Sequence, residues 1–296
     1  MSVRNSLLKS VLRASRKRIY TSEEALRQHV ARSRERQNGH LPESIGRSGR
    51  IERGIWDGVT TYTVSPREGS GENGHVLYLH GGGFFEGMNA PRWRMVSTLA
   101  DGGGVTFTVP LYPLAPEHSH RDTYPWLLRL YDHLCATEKP ENLTVMGDSA
   151  GGGMALSLVQ QAVARGHAQP RQTVLLSPWL DLTLRNPSIA EREVVDPVLA
   201  SVGLRVAAGW WAGGDDPASP VLSPINGSLK GIGPVLVAIG TDDLLHPDTV
   251  VFRDRARAAG IDIEFVEEEG AAHLFMLMPI PEAKPVIDRL VERLQG

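Results

Sequence analysis

The 296-residue chain is 41% hydrophobic and 22% charged, with a net charge of −3 and a single cysteine. Such a composition excludes a disordered or fibrous protein and a disulfide-stapled scaffold, and no apolar run approaches the ~20 residues that a membrane span needs. The charge is uneven: residues 1–36 carry ten Lys or Arg against three Glu, a net +7 that leaves −10 for the remainder.

Residues 4–37 read as two short helices. Leu7, Leu8, Val11, Leu12 and Ile19 recur at helical spacing, and Lys9 breaks the run too early for a signal-peptide core. Thr21-Ser22-Glu23-Glu24 marks the second start, with acidic residues in its first turn. The basic face reads as a solvated one. A nucleic-acid or membrane-surface role is disfavoured, because no aromatic residues interleave the charges. Asn38-Gly39-His40-Leu41-Pro42 then breaks the helix, and Ile51 to Val64 forms a predicted hairpin turning at Asp57-Gly58.

From there strands and helices alternate. Strands are predicted at His75–Leu79, Gly104–Val109, around Thr144–Met146, and at Thr173–Leu176, Pro234–Ile239 and Ile261–Val266. Helices are predicted at Pro91–Ala100, Thr123–Ala136, after Ser149, and at Pro247–Ala259 and Pro281–Leu294. This alternation implies an α/β fold with a mostly parallel sheet covered on both faces. Cys135 falls within a helix among Leu130, Tyr131 and Leu134 and reads as an inert thiol; one unpaired cysteine fits a reducing compartment and a cytoplasmic location.

Between Leu184 and Gly233 the pattern lacks a strand, which defines an insertion at about residues 185–230. It holds a helical candidate, Pro197 to Ala212, ending in Trp210-Trp211. An insertion there lies over the carboxyl edge of the sheet, as a lid would. The paired tryptophans either line an acyl pocket, together with Phe84, or pin the lid to the core.

Four short motifs carry chemistry, and each sits just past a predicted strand. Gly147-Asp148-Ser149-Ala150-Gly151 joins strand to helix through a sharp turn, which exposes Ser149. His80-Gly81-Gly82-Gly83-Phe84 places unobstructed backbone N–H groups in a tight loop, as an oxyanion hole requires, and His80 is expected to order that loop. Gly240-Thr241-Asp242-Asp243-Leu244-Leu245 supplies an acid, and Gly270-Ala271-Ala272-His273 a base. Any one of these could be a loop accident. In the order Ser, Asp, His they match the α/β-hydrolase constellation.

His80-Gly81-Gly82-Gly83, Leu111-Tyr112-Pro113-Leu114-Ala115-Pro116-Glu117-His118, the Ser149 motif, Ser177-Pro178-Trp179-Leu180-Asp181-Leu182-Thr183 and Ser223-Pro224-Ile225 together resemble the bacterial hormone-sensitive-lipase-like esterases of the GDSAG branch. The resemblance covers about residues 50–296. It implies an eight-stranded α/β-hydrolase sheet at 41–296, and a helical cap made of the insertion and the N-terminal helices at 1–40. It also implies hydrolysis of short- to medium-chain acyl esters. Pro113 departs from the arginine of many members. The acid motif departs from the usual Asp-Pro-Leu.

On this reading Ser149 is the nucleophile, His273 the base, and Gly82, Gly83 and Ala150 donate to the oxyanion, the two glycines being picked out by the resemblance. Asp242 fits the family's usual Gly-x-Asp spacing. Asp243 fits a subgroup pattern in which Leu245, Pro247 and Asp248 also find counterparts, so Asp243 is the expected acid. The neighbour is expected to cap the following helix or to be solvated. No metal or cofactor is needed, and no His/Cys/carboxylate cluster has metal-ligand spacing. The expected partner is a small-molecule ester, with a homodimer left open and neither nucleic acid nor stable membrane insertion expected. Lactone or acyl-formamide hydrolysis on the same scaffold is the alternative. A non-catalytic receptor is the remote one, disfavoured by the intact Ser149 and His273.

Overall fold

The computed structural model describes residues 2–36, 41, 50–69 and 71–296. The predicted helix break at 38–42, apart from Leu41, and the domain boundary near residue 40 lie outside the described residues. Two helices open the chain, α1 (Val3–Ser15) and α2 (Glu23–Arg36), separated by a 3-10 turn at Lys17–Tyr20. A hairpin follows, β1 (Arg50–Trp56) and β2 (Val59–Ser65). Asp57 and Gly58 turn it with φ of 47° and 83°, the left-handed pair whose twist matches that of the strands.

The remaining strands are β3 (His75–Leu79), β4 (Thr106–Pro110), β5 (Leu143–Asp148), β6 (Gln172–Leu176), β7 (Val235–Gly240) and β8 (Ile263–Glu268). All eight join one sheet in the order β1-β2-β4-β3-β5-β6-β7-β8. It is antiparallel at β1–β2 and β2–β4 and parallel from β4 to β8. The central strands β3, β5, β6 and β7 are buried along their whole length, which is why they read as unbroken apolar runs. Charges mark the two edges, Arg50, Glu52 and Arg53 on β1 and Glu264, Glu267 and Glu268 on β8, and discourage pairing with another sheet.

The period-2 alternation of the strands divides the core between two faces. Val76, Met146, Val174 and Leu236 pack with Trp93 and Leu99 of α3 (Ala90–Gly103) and Val286 and Leu290 of α9 (Ala283–Gln295). Leu77, Val145, Leu175 and Val237 pack with Leu127 of α4 (His120–Glu138), Leu158 of α5 (Ala150–Ala164) and Phe252 of α8 (His246–Ala258).

Residues 177–234, between β6 and β7, carry α6 (Ile189–Val195) and α7 (Ser201–Ala212). The helix predicted from Pro197 therefore starts later, at Ser201. Asp196 is extended (φ −60°, ψ 122°), as a residue before proline prefers. Its side chain takes up the N–H groups of Val198 and Leu199, and Glu193 accepts the Ser201 N–H at 2.9 Å. The N-terminal helices pack against this insertion. A Cβ on Gly203 of α7 would lie 2.6 Å from the Tyr20 Cα, so only glycine permits that approach.

Several of the basic residues expected to be solvated hold the N-terminal segment to the body. Arg16 donates to Glu86, Lys17 to the Asp196 carbonyl at 2.7 Å, and Arg34 to the Phe85 and Ala115 carbonyls at 2.7 Å each. Local periodicity could not reveal this, because every partner lies at least 50 residues away.

Candidate active site

The turn between β5 and α5 places Ser149. Its φ of 52° and ψ of −119° hold a non-glycine residue in a strained region, which throws the side chain out of the strand–helix junction. Close packing makes that turn depend on its glycines. A Cβ on Gly147 would lie 2.2 Å from the Gly151 carbonyl oxygen, and one on Gly151 would lie 2.0 Å from that of Leu79.

His273 follows β8, and its Nε2 lies 3.0 Å from the Ser149 Oγ. On the other side of the ring Nδ1 donates to the Asp243 Oδ2 at 2.8 Å. The Asp243 Oδ1 accepts the Leu245 N–H at 2.9 Å, which fixes the carboxylate in the loop after β7. All three side chains are buried. Burial alone would lower the His273 pKa, but the charge and hydrogen bond of Asp243 outweigh it and hold the imidazole above its ordinary value. Asp242 points away and pairs with Lys9 of α1, rather than capping α8 or facing solvent. Adjacent side chains at a strand end diverge, so one aspartate reaches the histidine.

The glycine loop after β3 faces the same point. Gly82 and Gly83 line the cavity that opens on Ser149 and His273, with φ of 115° and 58°. Among the described residues no hydrogen bond takes up either N–H group. The Ala150 N–H belongs to the first turn of α5, where a helix leaves its donors free. His80 is fully buried and stacks on Tyr112, with ring centroids 4.2 Å apart. Burial pushes it down to about 4, so it is neutral, and its Nδ1 donates to the Gly81 carbonyl at 2.8 Å. It orders the loop.

Sequence reasoning missed the brace beneath this loop. Asp148 Oδ1 accepts the Tyr78 hydroxyl at 2.5 Å and the Gly81 N–H at 2.7 Å, while Oδ2 accepts the Arg92 Nε at 2.9 Å. Burial would raise the Asp148 carboxyl, but Arg92 outweighs it and holds the pKa below the ordinary range. The serine motif and the glycine loop are thus pinned to each other through one fully buried carboxylate. Asp148→Ala would leave the Arg92 guanidinium buried without its partner, at an expected cost of about 3–5 kcal/mol in a denaturant melt. A loss under about 1 kcal/mol would contradict that reading.

The cavity measures about 310 Å³, and besides the glycine loop and the start of α3 three further parts of the chain wall it. Leu12, Arg16 and Tyr20 come from the N-terminal segment, Val198 and Leu199 from the insertion, and Leu274, Leu277 and Met278 from the segment after His273. At one side Glu86 meets His29 Nε2 at 2.6 Å and Arg16 at 2.9 Å. Burial would raise Glu86, but these partners hold it down at about 2.

Phe84, Trp210 and Trp211, expected to bind substrate, do not line this cavity. Trp211 stacks on Phe84 with centroids 4.5 Å apart and planes 6° from parallel, and both are buried. Trp210 meets Phe85 edge-on and carries the Arg27 guanidinium 5.2 Å above its ring. The aromatic cluster therefore joins insertion, core and α2. Flat rings that find stacking partners bury more area there than a substrate cavity would offer. Among the described residues, no cluster of His, Cys, Asp or Glu could hold a metal ion, and no helix is long and apolar enough to cross a membrane.

The sequence matches the α/β-hydrolase fold family over residues 76–277. It is 32% identical over 229 residues to a triacylglycerol lipase of Mycobacterium tuberculosis, a stretch that is 77% of this chain and 47% of the lipase. The chain thus spans about half the length of that relative. It is 29% identical to an esterase of Acinetobacter venetianus, over 73% of each chain. An esterase from the bacterial hormone-sensitive lipase family superposes with a TM-score of 0.83 at 26% identity, covering 100% of this chain and 98% of the other. The chain belongs to the α/β-hydrolase fold family, and the bacterial hormone-sensitive lipase family is the branch it resembles.

Proposed function

We propose that the protein hydrolyses carboxylic esters of short to medium acyl chains through an acyl-enzyme on Ser149. The observation that carries this is the unbroken contact from Ser149 Oγ to His273 Nε2 and from His273 Nδ1 to Asp243, facing the cavity beside Gly82 and Gly83. His273 takes the Ser149 proton as Oγ attacks the ester carbonyl, and Asp243 stabilises the imidazolium so formed. The N–H groups of Gly82, Gly83 and Ala150 receive the negative oxygen of the tetrahedral intermediate. His273 then protonates the departing alcohol. Water activated by the same imidazole attacks the acyl-serine, and its collapse releases the acid and restores Ser149.

In this reading the N-terminal helices and the insertion act together as a cap, because both furnish cavity walls. A cavity of about 310 Å³, at the small end of ligand sites, suits acetyl to hexanoyl groups better than long chains. The test is a series of p-nitrophenyl esters of graded length, run beside lactones. Catalytic efficiency is expected to peak at or below hexanoyl and to fall for dodecanoyl. An efficiency that rises steadily through dodecanoyl, or lactones turned over faster than every ester, would overturn the substrate assignment.

A further inference from the structure

The mechanism just proposed uses Asp243 and leaves a second buried carboxylate, Asp196, without a part. Asp196 follows α6 and has no exposed surface. Its Oδ1 accepts the N–H groups of Val198 at 2.6 Å and Leu199 at 2.9 Å. Its Oδ2 accepts the Leu244 N–H at 2.7 Å. Val198 and Leu199 line the cavity on Ser149, and Leu244 directly follows Asp243 in the chain. One carboxylate therefore ties a wall of the substrate cavity to the loop that carries the proposed catalytic acid. The loop is held from the same side by Arg192, which donates to the Thr241 carbonyl at 2.9 Å. Lys9 pairs with Asp242 and also donates to the Gly270 carbonyl at 2.9 Å.

The charges around Asp196 make its burial informative. Asp243, His273 and Tyr20 face it electrostatically, and Lys17 Nζ donates to its backbone carbonyl. The side chains of its near neighbours Arg192 and Glu193 turn instead to the Thr241 carbonyl and to Ser201. Burial and the Asp243 charge push Asp196 up to about 6, while the N–H groups it accepts favour its ionised form. Its negative charge also adds to the Asp243 effect that raises His273 against burial. A carboxylate that only closed the Asp196-Pro197 turn would not need the Leu244 contact.

We propose that Asp196 is a positioning residue for the reaction: it sets the acid loop against the cavity wall, and its charge supports the imidazolium of His273. The proposal rests on the reading of Ser149, His273 and Asp243 as nucleophile, base and acid. Two variants separate the long-range role from the local turn. Asp196→Ser keeps a short oxygen able to accept the turn N–H groups but cannot reach Leu244. Asp196→Asn keeps volume and a turn acceptor but offers amide hydrogens to the Leu244 N–H.

Both variants are expected to lower kcat about 10- to 100-fold, as a small misplacement of catalytic groups does. Both should also move the acid side of the kcat/KM pH profile to lower pH. The sign follows from charge: without the carboxylate the imidazolium is less stable, so His273 stays neutral and active to lower pH. Asp243→Asn is measured alongside. If it is crippled while the Asp196 variants keep wild-type kcat and an unmoved profile, the Asp196 proposal alone fails. A lower kcat with an unmoved profile would make Asp196 a turn residue only, and failure of both variants to fold would make it a folding residue; either result overturns the proposal. Near-normal turnover in Asp243→Asn would overturn the underlying reading as well.

Discussion

Ser149→Ala is expected to remove esterase turnover down to the residual rate of the cavity and its N–H groups, a loss on the order of 10⁶ in kcat. The fold should persist. Alanine and serine share the Cβ that already sits at φ 52°, so the strained turn is unchanged, and the deleted hydroxyl has the His273 ring as its partner. Thermal melts of the two proteins should superpose within a few degrees. Turnover within tenfold of wild type in the folded variant would mean that another group attacks the ester.

The second large effect separates adjacent aspartates. Asp243→Asn keeps the shape of the loop, but its amide can no longer hold the His273 Nδ1 proton as a carboxylate does. Turnover should drop by up to ~10⁴. Asp242→Asn loses only a pairing with Lys9 at the edge of α1 and should leave kcat within a few-fold of wild type. The opposite ranking, with Asp242→Asn crippled and Asp243→Asn near normal, would reassign the acid. Measured side by side, the two variants also control for damage to the loop they share.

The parts of this site legible in sequence are those whose geometry is local. Gly147 and Gly151 are required by backbone contacts within one strand–turn–helix unit, so the pentapeptide announces the turn by itself. The central strands read cleanly because burial on both faces removes every polar alternation. The choice of Asp243 over Asp242 came from the resemblance to a subgroup pattern, and the structure puts Asp243 beside His273.

What stayed hidden depends on partners far along the chain. Asp148 was given no role within the serine motif, yet its carboxylate meets Arg92 56 residues upstream. Asp196 directly precedes the helix predicted from Pro197, and its contact with Leu244 spans 48 residues. The paired tryptophans were ambiguous for the same reason. Only the stacking of Trp211 on Phe84 tells which side of the insertion faces the core. The cationic N-terminal segment looked solvated because its anchoring carbonyls and carboxylates belong to other elements.

Covalent labelling tests the central claim most directly. A p-nitrophenyl alkylphosphonate carries the ester's leaving group on a phosphorus that captures the attacking oxygen, so inactivation marks the nucleophile itself. The account predicts one adduct per chain, found by peptide mass on the peptide containing Ser149, with loss of activity in step with labelling and no adduct in Ser149→Ala. Inactivation with the adduct on any other residue, or full labelling of Ser149→Ala, would contradict it.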